Sequence, residues 1–192
     1  MARAGRRPAG SDTRGDILAA ARSAFATHGY HGATIRGIAA DAGVDPALIH
    51  HYFGTKEDLF GACVDLPVSP RRAAATVLEG GVENAGRSVV RLFFSVWETP
   101  ASRDGLLAML RGSFTTEHGA ATLREFFGSG LLDRIAPHID APDARLRVAL
   151  VASHLVGVAV LRYVVGFEAI ANAEIDELVD LVAPRVQSYL TG

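Results

Sequence analysis

Residues 34–53 read TIRGIAADAGVDPALIHHYF, and their spacing predicts two short helices joined by a tight turn. Ala39 stands where the two helices cross closely, so a larger side chain there would force them apart. Gly43, four residues later, can adopt the left-handed conformation that ends the first helix. Asp45 and Pro46 favour the start of the second helix, because the carboxylate caps free amides and proline needs no N–H at the first helical position. The stretch is therefore predicted to form a helix-turn-helix.

A basic segment precedes this motif. The first fifteen residues carry one aspartate and four arginines, which gives a local charge of +3: Arg3, Arg6, Arg7 and Arg14. A basic arm ahead of a recognition helix commonly reaches the phosphates or the minor groove of DNA. We therefore predict a basic N-terminal arm over residues 1–10, followed by a first helix that begins with a capping box between Thr13 and Asp16.

The segment after the motif offers a second place for a phosphate. Thr55 and Asp58 have the spacing of a capping box, in which each side chain accepts a hydrogen bond from the other residue's backbone N–H. Lys56 lies between them in the first turn of the same helix. A helix N-terminus with a lysine beside it attracts phosphate groups, so we predict a phosphate contact at Lys56.

Together these residues resemble the DNA-binding segment of the tetracycline-repressor (TetR) family of bacterial transcriptional regulators. The resemblance covers about residues 13 to 60 and rests on many matches at fixed spacing: Thr34, Ile38, Ala39, Ala42, Gly43, Val44, Tyr52, Phe53, Lys56, Glu57 and Leu59. It implies a dimeric DNA-binding repressor that responds to an effector. The remaining two-thirds of the chain has no motif of comparable strength and agrees with the family in length and helical pattern.

The chain departs from the usual family pattern at the recognition helix. His50 stands where the family usually has a tyrosine that touches a phosphate. Asp45 and Pro46 stand where family members often carry serine or a basic residue. The stretch from Asp45 to Phe53 resembles more closely a subgroup common in actinobacteria, so base contacts known from other members need not apply here.

We predict that the exposed side of the second helix contacts bases and that its neighbours contact phosphates. No arginine or lysine lies at its start to make the bidentate contact with guanine. Apolar contacts from Ala47 and Leu48 to thymine methyls, with hydrogen bonds from His50, would therefore read the sequence. Phosphates are assigned to Thr34, Arg36, His51, Tyr52 and Lys56. With the two residues that begin the helix, the candidate DNA-binding set is Thr34, Arg36, Asp45, Pro46, Ala47, Leu48, His50, His51, Tyr52 and Lys56.

Helical periodicity continues through the rest of the chain, and no stretch alternates apolar and polar residues as a strand would. We predict an all-α protein of about nine helices. A three-helix DNA-binding domain over residues 11–60 is followed by a larger effector-binding and dimerisation bundle over residues 61–192. The sequence LPVSP, residues 66–70, carries two prolines and is typical of a join between two parts.

Apolar side chains in the second part indicate either an ordinary bundle core or a ligand cavity between helices. His154 and Arg162 interrupt an otherwise apolar helix and could anchor a bound molecule. Such a cavity would suit an apolar or aromatic effector, with or without an acid group. The candidate effector-pocket residues are Phe94, Trp97, Met109, Phe126, His154 and Arg162.

The last two helices, about residues 143–166 and 174–190, are predicted to form a homodimer. Small residues at Gly157 and Ala159 allow close helix approach, and the final helix carries more apolar residues than one packed face needs. The TetR resemblance implies a four-helix interface between subunits. A twofold dimer would bind a palindromic operator in double-stranded DNA and release it when an effector binds.

The whole chain has 192 residues and a formal net charge of -2, so its composition points to neither a nucleic-acid nor a membrane partner. The longest apolar stretch, Ala149 to Leu161, is shorter than the roughly 20 residues that cross a bilayer. The basic N-terminus lacks the apolar segment of a secretory signal. We therefore expect a cytoplasmic protein without membrane association. Cys63 is the single cysteine, so an internal disulfide is excluded, while a redox-sensing role stays open.

No catalytic motif competes with the DNA-binding interpretation. The sequence contains no G-x-S-x-G motif, no cysteine–histidine spacing typical of a metal site and no phosphate-binding glycine loop. His50 and His51 are adjacent and point about 100° apart on a helix, so they cannot easily hold one metal ion. We predict no enzyme, no metal and no cofactor. The alternative function is that of a helical adaptor that binds another protein without binding DNA.

Overall fold

The structure is a computed structural model that describes residues 12–128 and 132–192, and every regular element in these ranges is helical. This confirms the all-α prediction. The described part contains ten helices of eight or more residues and two short ones: α1 Thr13–Gly32, α2 Ile35–Ala42, α3 Pro46–Phe53, α4 Lys56–Cys63, α5 Pro70–Leu78, α6 Ala85–Glu98, α7 Pro100–Thr115, α8 Glu117–Phe127, α9 Asp133–Ile135, α10 Ala144–Ala159, α11 Glu168–Ala171 and α12 Ile175–Thr191. The proposed arm, with Arg3, Arg6 and Arg7, lies outside the described residues.

The first four helices enclose one apolar core. α1 contributes Ile17 and Phe25, and α2, α3 and α4 contribute Ile38, Ile49 and Leu59. The three isoleucines and Leu59 are fully buried. Each such side chain stabilises the domain by roughly 1.5–3 kcal/mol relative to an exposed one, which is enough to hold three eight-residue helices that would be marginal alone.

The turn between α2 and α3 has the predicted geometry. Gly43 is left-handed, with φ 63° and ψ 38°. Its N–H donates to the carbonyl of Ala40, and the N–H of Val44 donates to the carbonyl of Ala39, at 3.0 and 2.9 Å. This pair of bonds is a Schellman motif, which satisfies the last carbonyls of α2. Ala39 is 1% exposed, as a residue predicted at a close crossing of two helices should be.

The cap of α1 differs from the prediction by one residue. Asp12, rather than Thr13, is the N-cap, and its carboxylate accepts a hydrogen bond from the N–H of Gly15 at 2.9 Å. Aspartate is among the strongest N-cap residues, so it takes the position ahead of threonine. Gly29, with φ 68°, kinks α1 near its end and turns Tyr30 into the core.

The second part of the chain consists of two layers. α6, α10 and α12 pack together with α5 and α9 around a core that includes Val90, Phe94 and Val179. α7 and α8 pack against each other, and α8 also packs against α1. These two helices therefore lie between the four N-terminal helices and the rest of the bundle.

α10 is longer than the apolar run in the sequence indicates. It continues as a π-helical segment over Val160–Val165, and the joined helix Ala144–Val165 has 22 residues and a mean hydropathy of 2.0 in its most apolar window. Ser153 and His154 do not interrupt it. By length and composition alone this helix could cross a bilayer, which the sequence-based expectation had excluded. In the fold, one of its faces is buried in the core through Val148 and Leu155.

Replacing Gly43 with alanine would put a Cβ on left-handed backbone, which costs about 1 kcal/mol. We expect chemical denaturation to show a free energy of unfolding that is lower by about this amount. Gly112→Ala is the matched control, because Gly112 is helical and a Cβ there meets no atom within 4 Å. If Gly43→Ala proved as stable as the unaltered protein, the turn would not depend on glycine.

Candidate nucleic-acid interface

α3 presents one buried and several exposed side chains, as a recognition helix must. The carboxylate of Asp45 accepts a hydrogen bond from the N–H of Ala47 at 2.8 Å, and Pro46 occupies the first turn. This confirms the predicted helix start. Ile49 is fully buried and anchors the helix, whereas Ala47 and Leu48 are exposed, Leu48 by 37%. Asp45 is thus engaged in capping, and the apolar contacts available to a base come from the two residues after Pro46.

His50 is held in a defined tautomer. Its Nδ1 lies 2.8 Å from the carbonyl oxygen of Gly54. A carbonyl can only accept, so Nδ1 carries the proton and, in the neutral ring, Nε2 is left as an acceptor. An acceptor at this position suits an exocyclic amino group of adenine or cytosine in the major groove. The neighbouring rings of His51 and Tyr52 pack edge to face at 5.3 Å, and both residues are exposed.

The start of α2 lies beside this helix. Thr34 is the N-cap of α2, and its Oγ1 accepts a hydrogen bond from the N–H of Gly37 at 3.0 Å. Thr34 and Arg36 are both exposed. α3 packs against α2 on one side and α4 on the other. The structure therefore packs the three helices that carry the predicted residues against one another.

Lys56 is more constrained than its sequence position suggests. The capping box between Thr55 and Asp58 is present, with backbone-to-side-chain distances of 3.2 and 3.3 Å. The Lys56 ammonium lies over the ring of Tyr30, 4.4 Å from its centroid. Burial lowers the pKa of Lys56, and burial with the nearby Glu57 raises the pKa of Tyr30. The sequence analysis did not include Tyr30 in the site. The sequence signal for it was an aromatic residue directly after Gly29, the glycine near the end of α1.

Arg14 belongs to the body of the domain rather than to the arm. It lies in the first turn of α1, and its guanidinium is 5.1 Å from the ring centroid of Phe53 at the end of α3. A cation over an aromatic face contributes about 0.5–1 kcal/mol at an exposed site. This contact ties the end of α3 to α1.

Family models match both parts of the chain. The description "Bacterial regulatory proteins, tetR family" matches residues 17–63, and "Tetracyclin repressor-like, C-terminal domain" matches residues 83–190. The second match covers more than half of the chain. The chain belongs to the TetR family. As a TetR-family member it is a DNA-binding transcriptional regulator and not an enzyme.

Individual TetR-family proteins resemble it to different extents. The transcriptional repressor AcnR of Corynebacterium efficiens is 40% identical over 79 residues, which are 41% of each chain. The dual regulator CecR of Shigella flexneri is 46% identical over 54 residues, or 28% of this chain and 24% of that protein. The matches thus span less than half the length of these curated relatives. A crystal structure of a TetR-family regulator from Streptomyces coelicolor A3 is 33% identical, with a TM-score of 0.51, over 98% of this chain and 99% of that one.

The regulatory part of this TetR-family chain contains an apolar cavity. It has a volume of about 160 Å³ and lies between α6, α7, α8 and α10. Three of the six candidate effector residues line it: Trp97, Met109 and Phe126. The candidate set left out other wall residues, among them Phe93, Leu123 and Phe127. Phe93 lies four residues before Trp97 and Leu123 lies three before Phe126, so helical spacing could have found these two.

The other three candidate effector residues lie away from this cavity. Phe94 is 1% exposed and packs in the core formed with α10 and α12, because it points about 100° away from Phe93. The ring of His154 packs against Tyr189 of α12, with centroids 6.1 Å apart. Arg162 donates to the carbonyl of Ala173 at 2.9 Å. The prediction that Phe94, His154 and Arg162 share one pocket with Trp97 is therefore wrong.

Cys63 ends α4 at the join between the two parts. Burial raises the pKa of its thiol to about 12. At neutral pH the thiol is protonated, and the thiolate is the form that reacts with oxidants and metals. The environment of Cys63 therefore disfavours the redox role that the sequence left open.

Lys56→Ala should weaken binding to every DNA sequence by a similar factor, because a phosphate contact positions the protein without reading bases. We expect the dependence of log affinity on log salt to become shallower by about one unit. Binding to specific and non-specific duplexes would be measured at several salt concentrations. Arg91→Ala, which removes an exposed charge paired with Asp176 in the regulatory part, is the control. A loss confined to one DNA sequence would contradict a phosphate role.

Proposed function

We propose that this protein is a homodimeric repressor, acting in the cytoplasm, that binds a palindromic operator and releases it when a small apolar or aromatic effector occupies the α6–α8–α10 cavity. The observation that carries this proposal is the double role of Phe126. It lines the cavity and also packs on the core of the DNA-binding domain. One helix is thus in contact with both the effector site and the domain that carries the recognition helix.

In this proposal, α3 enters the major groove. Ala47 and Leu48 contact thymine methyls, and the Nε2 of His50 accepts from a base amino group. The phosphates lie against Thr34, Arg36, His51, Tyr52 and Lys56. Asp45 and Pro46 set where the helix begins, since the aspartate carboxylate is occupied by its cap and would repel a phosphate.

The dimer in this proposal forms through α10 and α12. An apolar stripe on α10 is exposed at spacings that keep it on one face: Leu146, Leu150, Leu161 and Val164, by 61, 41, 39 and 48%. Gly157 lies on the same face, and a Cβ there would meet nothing within 4 Å. A contiguous exposed apolar stripe is typical of an interface.

α12 contributes less to this surface than its sequence suggests. Leu178, Val182, Val186 and Leu190 fill the core of the protomer, whereas Leu181 is 66% exposed. The second copy would therefore pack mainly on α10, with Leu181 at the side. A twofold axis there would present two α3 helices to half-sites about one DNA turn apart.

Effector release follows from contacts between the two domains. The rings of Phe126 and Phe60 are 6.3 Å apart, and those of Phe60 and Tyr30 are 5.5 Å apart. Tyr30 in turn supports Lys56. Beside this chain of rings, His31 pairs with Glu125 at 2.7 Å. A ligand that displaces α8 would shift α1 and the start of α4, and so favour a state in which the two recognition helices no longer fit their half-sites.

Selection of bound duplexes from random-sequence DNA tests the proposed function directly. We expect an enriched palindrome whose half-sites are about 10 base pairs apart, centre to centre. Enrichment of a single half-site without a repeat would contradict the dimeric arrangement. If no DNA were enriched at low salt, the alternative of a helical adaptor would take its place.

Leu150→Arg should separate the dimer, because two buried guanidinium groups would face each other across the twofold interface without a partner. We expect analytical ultracentrifugation to show a monomer, with operator affinity reduced at least about tenfold through the loss of bivalent binding. Phe114→Arg is the control, since Phe114 is 79% exposed but lies on α7, off the α10 stripe. A dimer that survived Leu150→Arg with full affinity would place the interface elsewhere.

A further inference from the structure

The chemistry of the cavity limits what can occupy it. Resting on the effector role proposed above, we infer that its ligand is an uncharged, wholly apolar molecule about the size of one aromatic ring, and that carboxylic acids are excluded. This narrows the sequence-based expectation, which allowed an acid group. The inference depends on the volume of the cavity, on its wall and on the polar groups around it.

The volume sets the size of the ligand. The cavity measures about 160 Å³. Apolar cavities of about 150 Å³ in other proteins stay dry and bind benzene. A molecule much larger than toluene would therefore require the helices to move apart.

The wall provides no partner for a charge. All seventeen described residues that line the cavity have apolar side chains, and the indole of Trp97 carries the single N–H among those side chains. Moving an ionised carboxylate out of water without a partner has a free-energy cost that contacts with hydrocarbon side chains do not offset. The acid would remain in water or enter only after taking up a proton.

Polar side chains near the cavity are already engaged on its outside. The ring of Tyr163 stacks on that of Trp97 at 5.0 Å, and its hydroxyl donates to Oε1 of Glu98 at 2.8 Å. Ser102 is fully buried, and its hydroxyl donates to the carbonyl of Asp65 at 2.6 Å. Arg162, which lies away from the cavity, donates to the carbonyls of Ile170 and Ala173, in and after α11. Recruiting either hydroxyl for an acid would break an existing hydrogen bond.

Trp97 makes the inference directly measurable. It is the only tryptophan in the chain, and it forms part of the cavity wall. The emission of the full chain would be titrated with toluene and with benzoate at pH 7, and calorimetry would give the stoichiometry. We expect one toluene per protomer with a saturable change in emission, and benzoate binding at least about 100-fold weaker.

Two variants show where the ligand binds. Val156→Phe adds bulk to the cavity wall and should abolish the toluene response. Phe167→Ala, which removes an exposed aromatic side chain outside the wall, should leave it unchanged. If Val156→Phe failed to fold, the toluene and benzoate titrations of the unaltered chain would still decide the question. Benzoate binding as tightly as toluene, or no saturable toluene response, would overturn the inference.

Operator release is measured separately, so that the two proposals can fail independently. Toluene that binds at Trp97 but leaves the selected operator bound would support the ligand class and contradict the effector role. Benzoate that binds at Trp97 and releases the operator, while toluene does neither, would overturn the ligand class and support the effector role. Toluene that binds and releases DNA would support both.

Discussion

The packing of Phe60 is the contact on which the arrangement of this protein depends. Its ring lies 5.0 Å from Phe25 and 5.5 Å from Tyr30 within the DNA-binding domain, and 6.3 Å from Phe126 of the regulatory part. Aromatic pairs of this kind contribute about 0.5–1.5 kcal/mol each beyond the area they bury. Because one side chain takes part in all three, the orientation of the recognition domain is tied to the position of α8.

The contact between the recognition domain and the regulatory part is reinforced where the backbone of α7 closely approaches the segment after α4. A Cβ at Gly105 of α7 would lie 2.7 Å from the carbonyl oxygen of Val64, just after α4. Ser102, one turn earlier, donates to the carbonyl of Asp65. Arg22 of α1 reaches the same segment, where it pairs with Asp65 at 3.0 Å. The segment after α4 is thereby held between the recognition domain and α7, which also lines the cavity. Interiors this closely packed transmit a displacement rather than absorb it.

Local sequence signals predicted the recognition domain well because its elements are short and capped by their own residues. Gly43, the Asp45–Pro46 start and the Thr55–Asp58 box each act within a few residues, and all three are present. The same reasoning failed for half of the effector set. His154 and Arg162 look like inward polar anchors along the sequence. In the structure the ring of His154 packs against Tyr189 of α12, and Arg162 donates to carbonyls in and after α11. No pattern within α10 can show where α11 and α12 will lie.

The sequence by itself determined the helical class, the position of the turn and the residues that α3 exposes, because helix periodicity and capping depend on neighbours three or four positions away. Tertiary structure decided which apolar residues form core, cavity or exposed stripe. Phe93 and Phe94 are adjacent and equally apolar, but one faces the cavity and the other faces α10 and α12. Leu178 and Leu181 divide in the same way between core and solvent. The hydrophobic effect has no direction of its own, so the destination of an apolar side chain is set by the helix that packs against it.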